Sequence, residues 1–263
     1  MSADYFADTT AASNSMLSTL HKSPRIYEAT YVTKTLTKTV TPAMTLGSAV
    51  RCLALEPYKW LDQYWSNPFE NRRSKAFKEW AEKLPEGASI LNPSESLTVE
   101  KCAHALMENG RVARVLEMPG DVEREIHWQD PLVDAPCKAK LDKVLTDQRM
   151  IWDIKTTNEM DPKKLAWKIF DYGYHRQAAH YTAGMAAITD TPVHTWTFAF
   201  AFVETCIPYR TRVVVLDEDF LQMGFAEREV LLSDWKSRSE SGDWSEPDEG
   251  EIFFCESPMR RRA

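Results

Sequence analysis

The sequence predicts an α/β domain in which a mixed β-sheet is flanked by helices and preceded by a mainly helical N-terminal region. Before Gly120, apolar residues recur at helical spacing. After Gly120, segments alternate polar and apolar residues or are rich in β-branched and aromatic residues, as in strands. Helical patterns then return between candidate strands, which favours helices packed on the faces of a sheet.

The helical portion covers residues 1–120. Ser13, Asn14 and Ser15 offer caps for a first short helix, which Ser23 and Pro24 end. Further amphipathic helices are predicted at residues 47–56, 74–84 and 98–109.

The sheet and its helices are predicted over residues 121–216, followed by a terminal helix over 217–238. We predict one domain over residues 1–238 and a loose polar tail over 239–263. The strands fall at residues 125–128, 138–145, 150–157, 194–204 and 209–216, and the helices at 161–171 and 174–188. The alternating aromatic residues Trp196, Phe198, Phe200 and Phe202 are typical of a buried central strand rather than of a surface that stacks on bases.

Composition excludes several classes of protein. No apolar run is long enough to span a membrane and no signal peptide is evident, so we expect a cytoplasmic protein without a membrane partner. The five cysteines are scattered without a Cys-x-x-Cys pair, which argues against a disulfide framework, a zinc ribbon and an iron–sulfur cluster. A net charge of −7 argues mildly against a general nucleic-acid coat protein, although carboxylates that hold cations add negative charge to an enzyme.

A predicted hairpin contains the most informative residues. A four-residue loop at 146–149 pairs Leu145 with Met150 and, counting outward, places Asp142 opposite Asp153. Lys155 then shares a face with Asp153, while Leu141 and Ile154 pair on the other face. A change of one residue in loop length would break this register.

Two facing aspartates in mid-strand repel unless a cation or a proton lies between them. We therefore predict that Asp142 and Asp153 bind Mg²⁺, for which Mn²⁺ can substitute, and that Lys155 orients or deprotonates a water or neutralises charge on a phosphate. Glu125, on the preceding strand, is a candidate third catalytic carboxylate. A solvated charge pair at Asp153 and Lys155, with a surface glutamate at 125, is the plainer alternative.

Tyr174, Gln177 and Tyr181 share one helical face, which suits contacts with DNA. Each could equally be an ordinary partly buried side chain. His175 and His180 lie near the predicted site, and His175 is a further candidate for contact with DNA. Lys163, Lys164, Lys168 and Arg176 either line a DNA channel or form a solvated helix face, and Arg260, Arg261 and Arg262 either touch phosphate or lie in a disordered end.

An ordered set of motifs resembles the exodeoxyribonuclease VIII (RecE-like) family of the PD-(D/E)XK superfamily, which includes phage lambda exonuclease and RecB-type nuclease domains. The resemblance runs from about residue 13 to about residue 235. It rests on Asn14-Ser15, Ser23-Pro24, GSAVRCLALEP at 47–57, Glu125, LDKV from Leu141, DIKTT from Asp153 and YHRQAAHY from Tyr174.

The resemblance implies metal-dependent hydrolysis of linear double-stranded DNA from the 5′ end, in recombination or repair. Asp142 and Asp153 would be metal ligands, Lys155 the catalytic lysine, and Gln177 and Tyr181 the Gln-x-x-x-Tyr motif that supports the site and contacts DNA. It also implies a toroidal homo-oligomer and a single-strand annealing protein as partners.

Arg51 departs from the family, in which the GSAV segment is followed by a metal-binding histidine. Arginine cannot bind a cation but can hold a phosphate through two hydrogen bonds. Three hypotheses follow: a reduced metal shell, a DNA-binding role for Arg51, or weakened activity. The alternatives to an exonuclease are thus a DNA-binding recombination accessory protein that has lost turnover, and a structure-specific or restriction-like endonuclease, which would cut closed circular DNA.

Overall fold

The computed structural model describes residues 3–251 of the chain. Its α-helices are α1 (Ala3–Ala7), α2 (Asn14–Lys22), α3 (Pro24–Tyr27), α4 (Pro42–Leu55), α5 (Trp60–Gln63), α6 (Lys75–Ala81), α7 (Pro93–Glu108), α8 (Gly110–Glu117), α9 (Pro162–Asp171), α10 (Tyr174–Thr189) and α11 (Glu218–Ser241). Its strands are β1 (Tyr64–Ser66), β2 (Ser89–Leu91), β3 (Asp121–Gln129), β4 (Pro136–Leu145), β5 (Met150–Thr157), β6 (Thr197–Glu204) and β7 (Thr211–Val215). Within these residues, no helix is both long and apolar enough to cross a bilayer.

The main sheet has the strand order β3-β4-β5-β6-β7. β5 and β6 are parallel, and the other neighbouring pairs are antiparallel. α9 and α10 make the crossover between the two parallel strands, as such a connection requires. The prediction of a mixed sheet flanked by helices is confirmed.

Each face of the sheet has its own hydrophobic core. One core packs β3 to β6 against α2, α10 and α11, and it includes Phe198, Phe200 and Phe202, so the prediction of a buried central strand is confirmed. The other core packs β5 and β6 against α4, α7 and α8. The sheet, including the polar residues of β4 and β5, therefore lies between two layers of helices.

Several boundaries differ from the sequence prediction for local reasons. α7 begins at Pro93 because Asn92 and Glu95 form a reciprocal capping box. α8 and the small parallel pair β1–β2 were not predicted. α11 continues past the predicted end at residue 238 to Ser241, and the buried Trp244 beyond it stacks on Tyr27. The predicted basic cluster at 260–262 lies outside the described residues.

A glycine allows α10 and α11 to pack closely. Gly224 of α11 is buried against the start of α10, where an added Cβ would collide with the backbone carbonyl of His175. Backbone atoms cannot move aside as a flexible side chain can, so the interface itself would have to open. The contact fixes the position of α10, which carries Gln177.

We expect Gly224→Ala to lower the free energy of unfolding by about 2–3 kcal/mol, because the methyl group overpacks this interface. Gly110→Ala is the matched control, since its Cβ would meet no atom within 4 Å. Urea unfolding of both variants measures the effect. Equal stabilities would contradict the close packing of α10 and α11.

Candidate active site

The predicted hairpin forms with the predicted register. Leu145 pairs with Met150, and the ladder continues to Lys143 and Trp152. At the next position the Asp142 side chain replaces the backbone as the partner of β5. Its Oδ2 accepts a hydrogen bond from the backbone N–H of Ile154 at 2.9 Å. Asp142 and Asp153 are thus neighbours, as the sequence predicted.

One detail of that prediction is wrong. Leu141 and Ile154 do not share a face, because Leu141 lies in the core beneath α10 and Ile154 lies in the core beneath α4. Both Leu141 and Val144 belong to the α10 core, so the alternation of β4 is broken between them. The break coincides with the end of the β4–β5 ladder, and it lets the Asp142 side chain reach across to β5.

The Asp153 carboxylate is buried and held by two side chains. Its Oδ1 accepts a hydrogen bond from Gln177 Nε2 at 2.6 Å, and its Oδ2 lies 2.6 Å from Lys155 Nζ. Lys155 Nζ also lies 4.8 Å from the centre of the Tyr174 ring. The predicted convergence of Asp142, Asp153 and Lys155 is therefore present in the structure.

Arg51 of α4 bridges two carboxylates. Its Nη1 lies 3.2 Å from Asp142 Oδ1, and its Nε lies 3.0 Å from Glu123 Oε1. The Asp142 carboxylate raises the pKa of Arg51, although burial opposes this. The guanidinium thus supplies positive charge at the site.

Glu123 belongs to this network, whereas the predicted Glu125 does not contact Asp142 or Asp153. Glu125 lies 3.4 Å from Lys140 Nζ, and Lys140 also pairs with Glu123 at 3.2 Å. Glu123 has a φ of 51°, a left-handed backbone conformation that few residues other than glycine adopt. At this residue the ladder between β3 and β4 skips the pair Glu123 and Asp142. The carboxylate of β3 at the site is therefore Glu123, which sequence reasoning missed because a glutamate does not reveal a left-handed backbone.

Burial strengthens the electrostatic conflict between the carboxylates. Burial raises the pKa of Asp153 and Asp142 adds to the rise, while Lys155 opposes it. Burial also raises the pKa of Glu123. For Lys155, burial alone would lower the pKa, but Asp153, Tyr174 and Asp142 together raise it.

The predicted face of α10 is directed toward the site. Gln177 binds Asp153, Tyr174 lies beside Lys155, and the Tyr181 hydroxyl hydrogen-bonds with Gln177. Burial, with Asp153 as a further cause, raises the pKa of the Tyr181 phenol well above its ordinary value.

His175 does not lie on this face. Its imidazole is buried against α11, where Nε2 lies 2.8 Å from Glu227 Oε2, so the prediction that His175 contacts DNA is wrong. Arg176 is likewise buried, with hydrogen bonds to Asn14, Ser18 and Glu227, and does not line a channel. Residues 175 and 176 are directed away from Asp153 because α11 packs there.

His180 is a structural residue on the far side of α10. Its Nδ1 accepts a hydrogen bond from Arg228 Nε, and its Nε2 lies 3.1 Å from the Lys138 carbonyl oxygen. Because Nδ1 accepts, the neutral ring carries its proton on Nε2 and donates it to that carbonyl. Arg228 also pairs with the buried Asp130.

The donor set fits a divalent cation of the magnesium type. Two buried carboxylates, Asp142 and Asp153, lie on neighbouring strands, and Mg²⁺ commonly binds through one or two carboxylates plus substrate phosphate and waters. Among residues 3–251, no group of three His, Cys, Asp or Glu side chains converges on one point.

The fold and the site define a PD-(D/E)XK-type α/β domain: a mixed sheet flanked by helices, with an acidic pair and a lysine on adjacent strands. The family model for a PDDEXK-like domain of unknown function (DUF3799) matches residues 13–257, and the chain belongs to this family.

Two solved structures are similar to the chain. A proposed exonuclease from Eubacterium rectale matches with a TM-score of 0.68 and 14% identity, covering 99% of this chain and 97% of that one. A phage-related exonuclease from Haemophilus somnus 129PT matches with a TM-score of 0.37 and 14% identity, covering 73% of this chain and 94% of that one. A search of curated proteins found no match. At this identity, the first likeness supports the fold.

The buried His180 predicts a pH dependence of stability. Burial, reinforced by Arg228, lowers the pKa of His180 to about 3. The pKa of a histidine in an unfolded chain is about 6.5. The unfolded state therefore binds the extra proton as the pH falls below that value. The neutral buried ring therefore stabilises the folded state above this pH. Below it, the free energy of unfolding falls by about 1.4 kcal/mol per pH unit.

We expect the unaltered protein to lose about 1.4 kcal/mol more than His180→Gln between pH 7.5 and pH 5.5. Urea unfolding at both pH values measures the difference. His194→Gln, at an exposed position, controls for the removal of a histidine as such. Parallel losses in the unaltered protein and His180→Gln would show that His180 is not held neutral.

Proposed function

We propose that this protein is a metal-dependent DNA exonuclease that hydrolyses phosphodiester bonds of linear double-stranded DNA from the 5′ end. The observation that supports this most strongly is the joint placement of Asp142, Asp153, Lys155 and Gln177, with Lys155 and Gln177 each 2.6 Å from an Asp153 oxygen. Membership of a PDDEXK-like family and the RecE-like motif order support the same reaction class.

Asp142 and Asp153 would hold Mg²⁺, with Mn²⁺ as a substitute. Such an ion polarises a phosphoryl oxygen and makes a bound water more acidic. Lys155 carries its charge beside Asp153, so its ammonium would orient the attacking water and neutralise charge that develops on the phosphate. Gln177 fixes the Asp153 carboxylate by donating to Oδ1, and Tyr181 fixes Gln177 in turn.

The position of Arg51 bears on the three hypotheses for this residue. Its guanidinium contacts Asp142, the proposed metal ligand, and Glu123. Two carboxylates hold it, so cation binding at Asp142 would weaken one of its two ion pairs. Arg51 could then turn toward a DNA phosphate while Glu123 still holds Nε. We therefore propose a reduced metal shell in which Arg51 also binds DNA.

The remaining expectations, apart from the cellular location, rest on the RecE-like resemblance. A toroidal homo-oligomer, a single-strand annealing partner, a recombination or repair role and a cytoplasmic location stay predictions. The two rival functions, a DNA-binding accessory protein and an endonuclease, share the same fold and differ in what they do to DNA.

The central prediction concerns digestion of end-labelled linear duplex DNA. We expect nucleotide release that requires Mg²⁺ or Mn²⁺ and falls about 100-fold or more in Lys155→Ala, because the variant loses the charge beside the scissile phosphate. Lys75→Ala is the matched control, since this exposed lysine pairs only with Glu79 one turn further along α6 among the described ion pairs. Covalently closed circular DNA is incubated in parallel and should survive.

Each alternative gives a different result in the same experiment. Cutting of the closed circle would establish the endonuclease. DNA that is bound but intact, with every divalent ion tried, would sink the catalytic proposal and favour the accessory protein. Release of label first from the 3′ end would contradict the proposed polarity only.

Arg51 gives a second prediction, on metal affinity. We expect Arg51→Met to be less stable without metal, because Asp142 and Glu123 lose their shared counter-charge. We also expect Mn²⁺ to raise the melting temperature of this variant more than that of the unaltered protein, since binding stabilises the folded state by mass action. Differential scanning fluorimetry across a Mn²⁺ titration measures both effects.

Arg51→Lys is the control for charge without the bridging guanidinium. Identical Mn²⁺-induced shifts in the unaltered protein and Arg51→Met would show that Arg51 does not compete with the cation. A weaker affinity of Arg51→Met for duplex DNA in the presence of metal would support the phosphate-binding role.

A further inference from the structure

A column of aromatic rings runs from the core to the surface beside Lys155. Phe200 and Phe202 of β6 pack against Tyr174, with ring centres 5.7 and 6.3 Å away. Tyr174 in turn stacks on Tyr172, at 5.6 Å and an interplanar angle of 28°. Tyr172, the last ring, is 59% exposed.

The column lies close to the proposed catalytic lysine, Lys155. Gly173, between the two tyrosines, has a positive φ of 63° and joins the end of α9 to the start of α10. That turn brings together Tyr172, which follows the end of α9, and Tyr174, which begins α10. Lys155 Nζ lies 4.8 Å from the inner ring, Tyr174, so the exposed ring lies one ring further along.

An ordered ammonium group flanks the exposed ring. Lys168 Nζ lies 6.0 Å from the centre of the Tyr172 ring. It donates hydrogen bonds to Thr157 Oγ1 at 3.0 Å and Asn158 Oδ1 at 2.7 Å, at the end of the strand that carries Asp153 and Lys155. These partners are neutral, so the positive charge of Lys168 stays available to an anion.

We propose that Tyr172, supported by Tyr174 and flanked by Lys168, is a stacking platform for an unpaired nucleotide of the DNA strand whose phosphate is cleaved beside Lys155. An exposed ring next to a cation is the combination that binds single-stranded nucleic acid, with the ring on a base and the cation on the backbone. A base within an intact duplex offers no free face, so the platform selects a strand end that is frayed or already single-stranded. This inference rests on the proposed nuclease function and extends it to the form of the substrate.

The platform differs from the exposed aromatic residue Trp167 on the preceding helix, α9. Trp167 is 69% exposed, but its ring packs edge-on against Phe170 instead of continuing the column. Five residues along an α-helix correspond to a rotation of about 140°, so Trp167 and Tyr172 face different directions. Trp167→Ala is therefore a matched control for Tyr172→Ala.

The test combines digestion kinetics with a fluorescent base. Linear duplexes carry 2-aminopurine at the terminal nucleotide or at an internal paired position, and the full-length proteins compared are unaltered, Tyr172→Ala, Tyr172→Phe and Trp167→Ala. We expect Tyr172→Ala to raise KM about tenfold with kcat within twofold, because one base–aromatic stack is lost. We expect it also to abolish the quenching of the terminal 2-aminopurine. Tyr172→Phe and Trp167→Ala should behave as the unaltered protein.

The outcomes separate this inference from the proposed nuclease. Digestion with the same KM and the same quenching in Tyr172→Ala would overturn the platform and leave the nuclease standing. Quenching that requires Tyr172 in a protein that does not digest DNA would support the platform and contradict the nuclease. An equal effect of Trp167→Ala would overturn the specific role of the column. Melting temperatures of the variants are measured as a control for folding. Because both rings are exposed, we expect each variant to be folded.

Discussion

The structure depends on the charge balance around two buried carboxylates on adjacent strands. Asp142 and Asp153 repel each other, and burial makes that repulsion more costly than it would be in water. Each oxygen is therefore matched to a positive or donor group: Arg51 and the Ile154 N–H for Asp142, Gln177 and Lys155 for Asp153. These partners come from α4, α10 and β5, so the acidic pair determines how both helical layers meet the sheet.

This network also explains how one fold can accommodate a change at position 51. Arg51 reaches Asp142 and Glu123 because α4 packs on the face of the sheet opposite to α10. A fixed guanidinium stabilises the folded protein without metal, whereas it lowers the advantage of adding a cation. If the site binds a metal as proposed, stability and metal affinity are opposed at this one residue, and a bound phosphate would relieve the opposition by offering Arg51 another anion.

Local patterns predicted more of this site than nonlocal ones. The hairpin register followed from a four-residue loop and period-two alternation, and the α10 face followed from helical spacing. Glu123 could not be predicted, because its role depends on a positive φ that no glutamate indicates. His175 was misplaced because its burial depends on α11, which contacts α10 from far along the chain and buries that face. The break in β4 that separates Leu141 from Ile154 likewise depends on how two cores compete for one strand.

The net charge of −7 is compatible with local binding of DNA at the proposed site. Attraction to phosphate is screened beyond about 10 Å at ordinary salt, so charges near the scissile bond matter more than the total. Lys155 lies beside the Tyr174 ring and Lys168 beside the Tyr172 ring, so their positive charges would act on a strand that follows the rings. Stacking adds attraction that salt does not screen. An acidic protein can therefore bind one strand end at a defined place while the rest of its surface repels DNA, which favours recognition of ends over coating of the duplex.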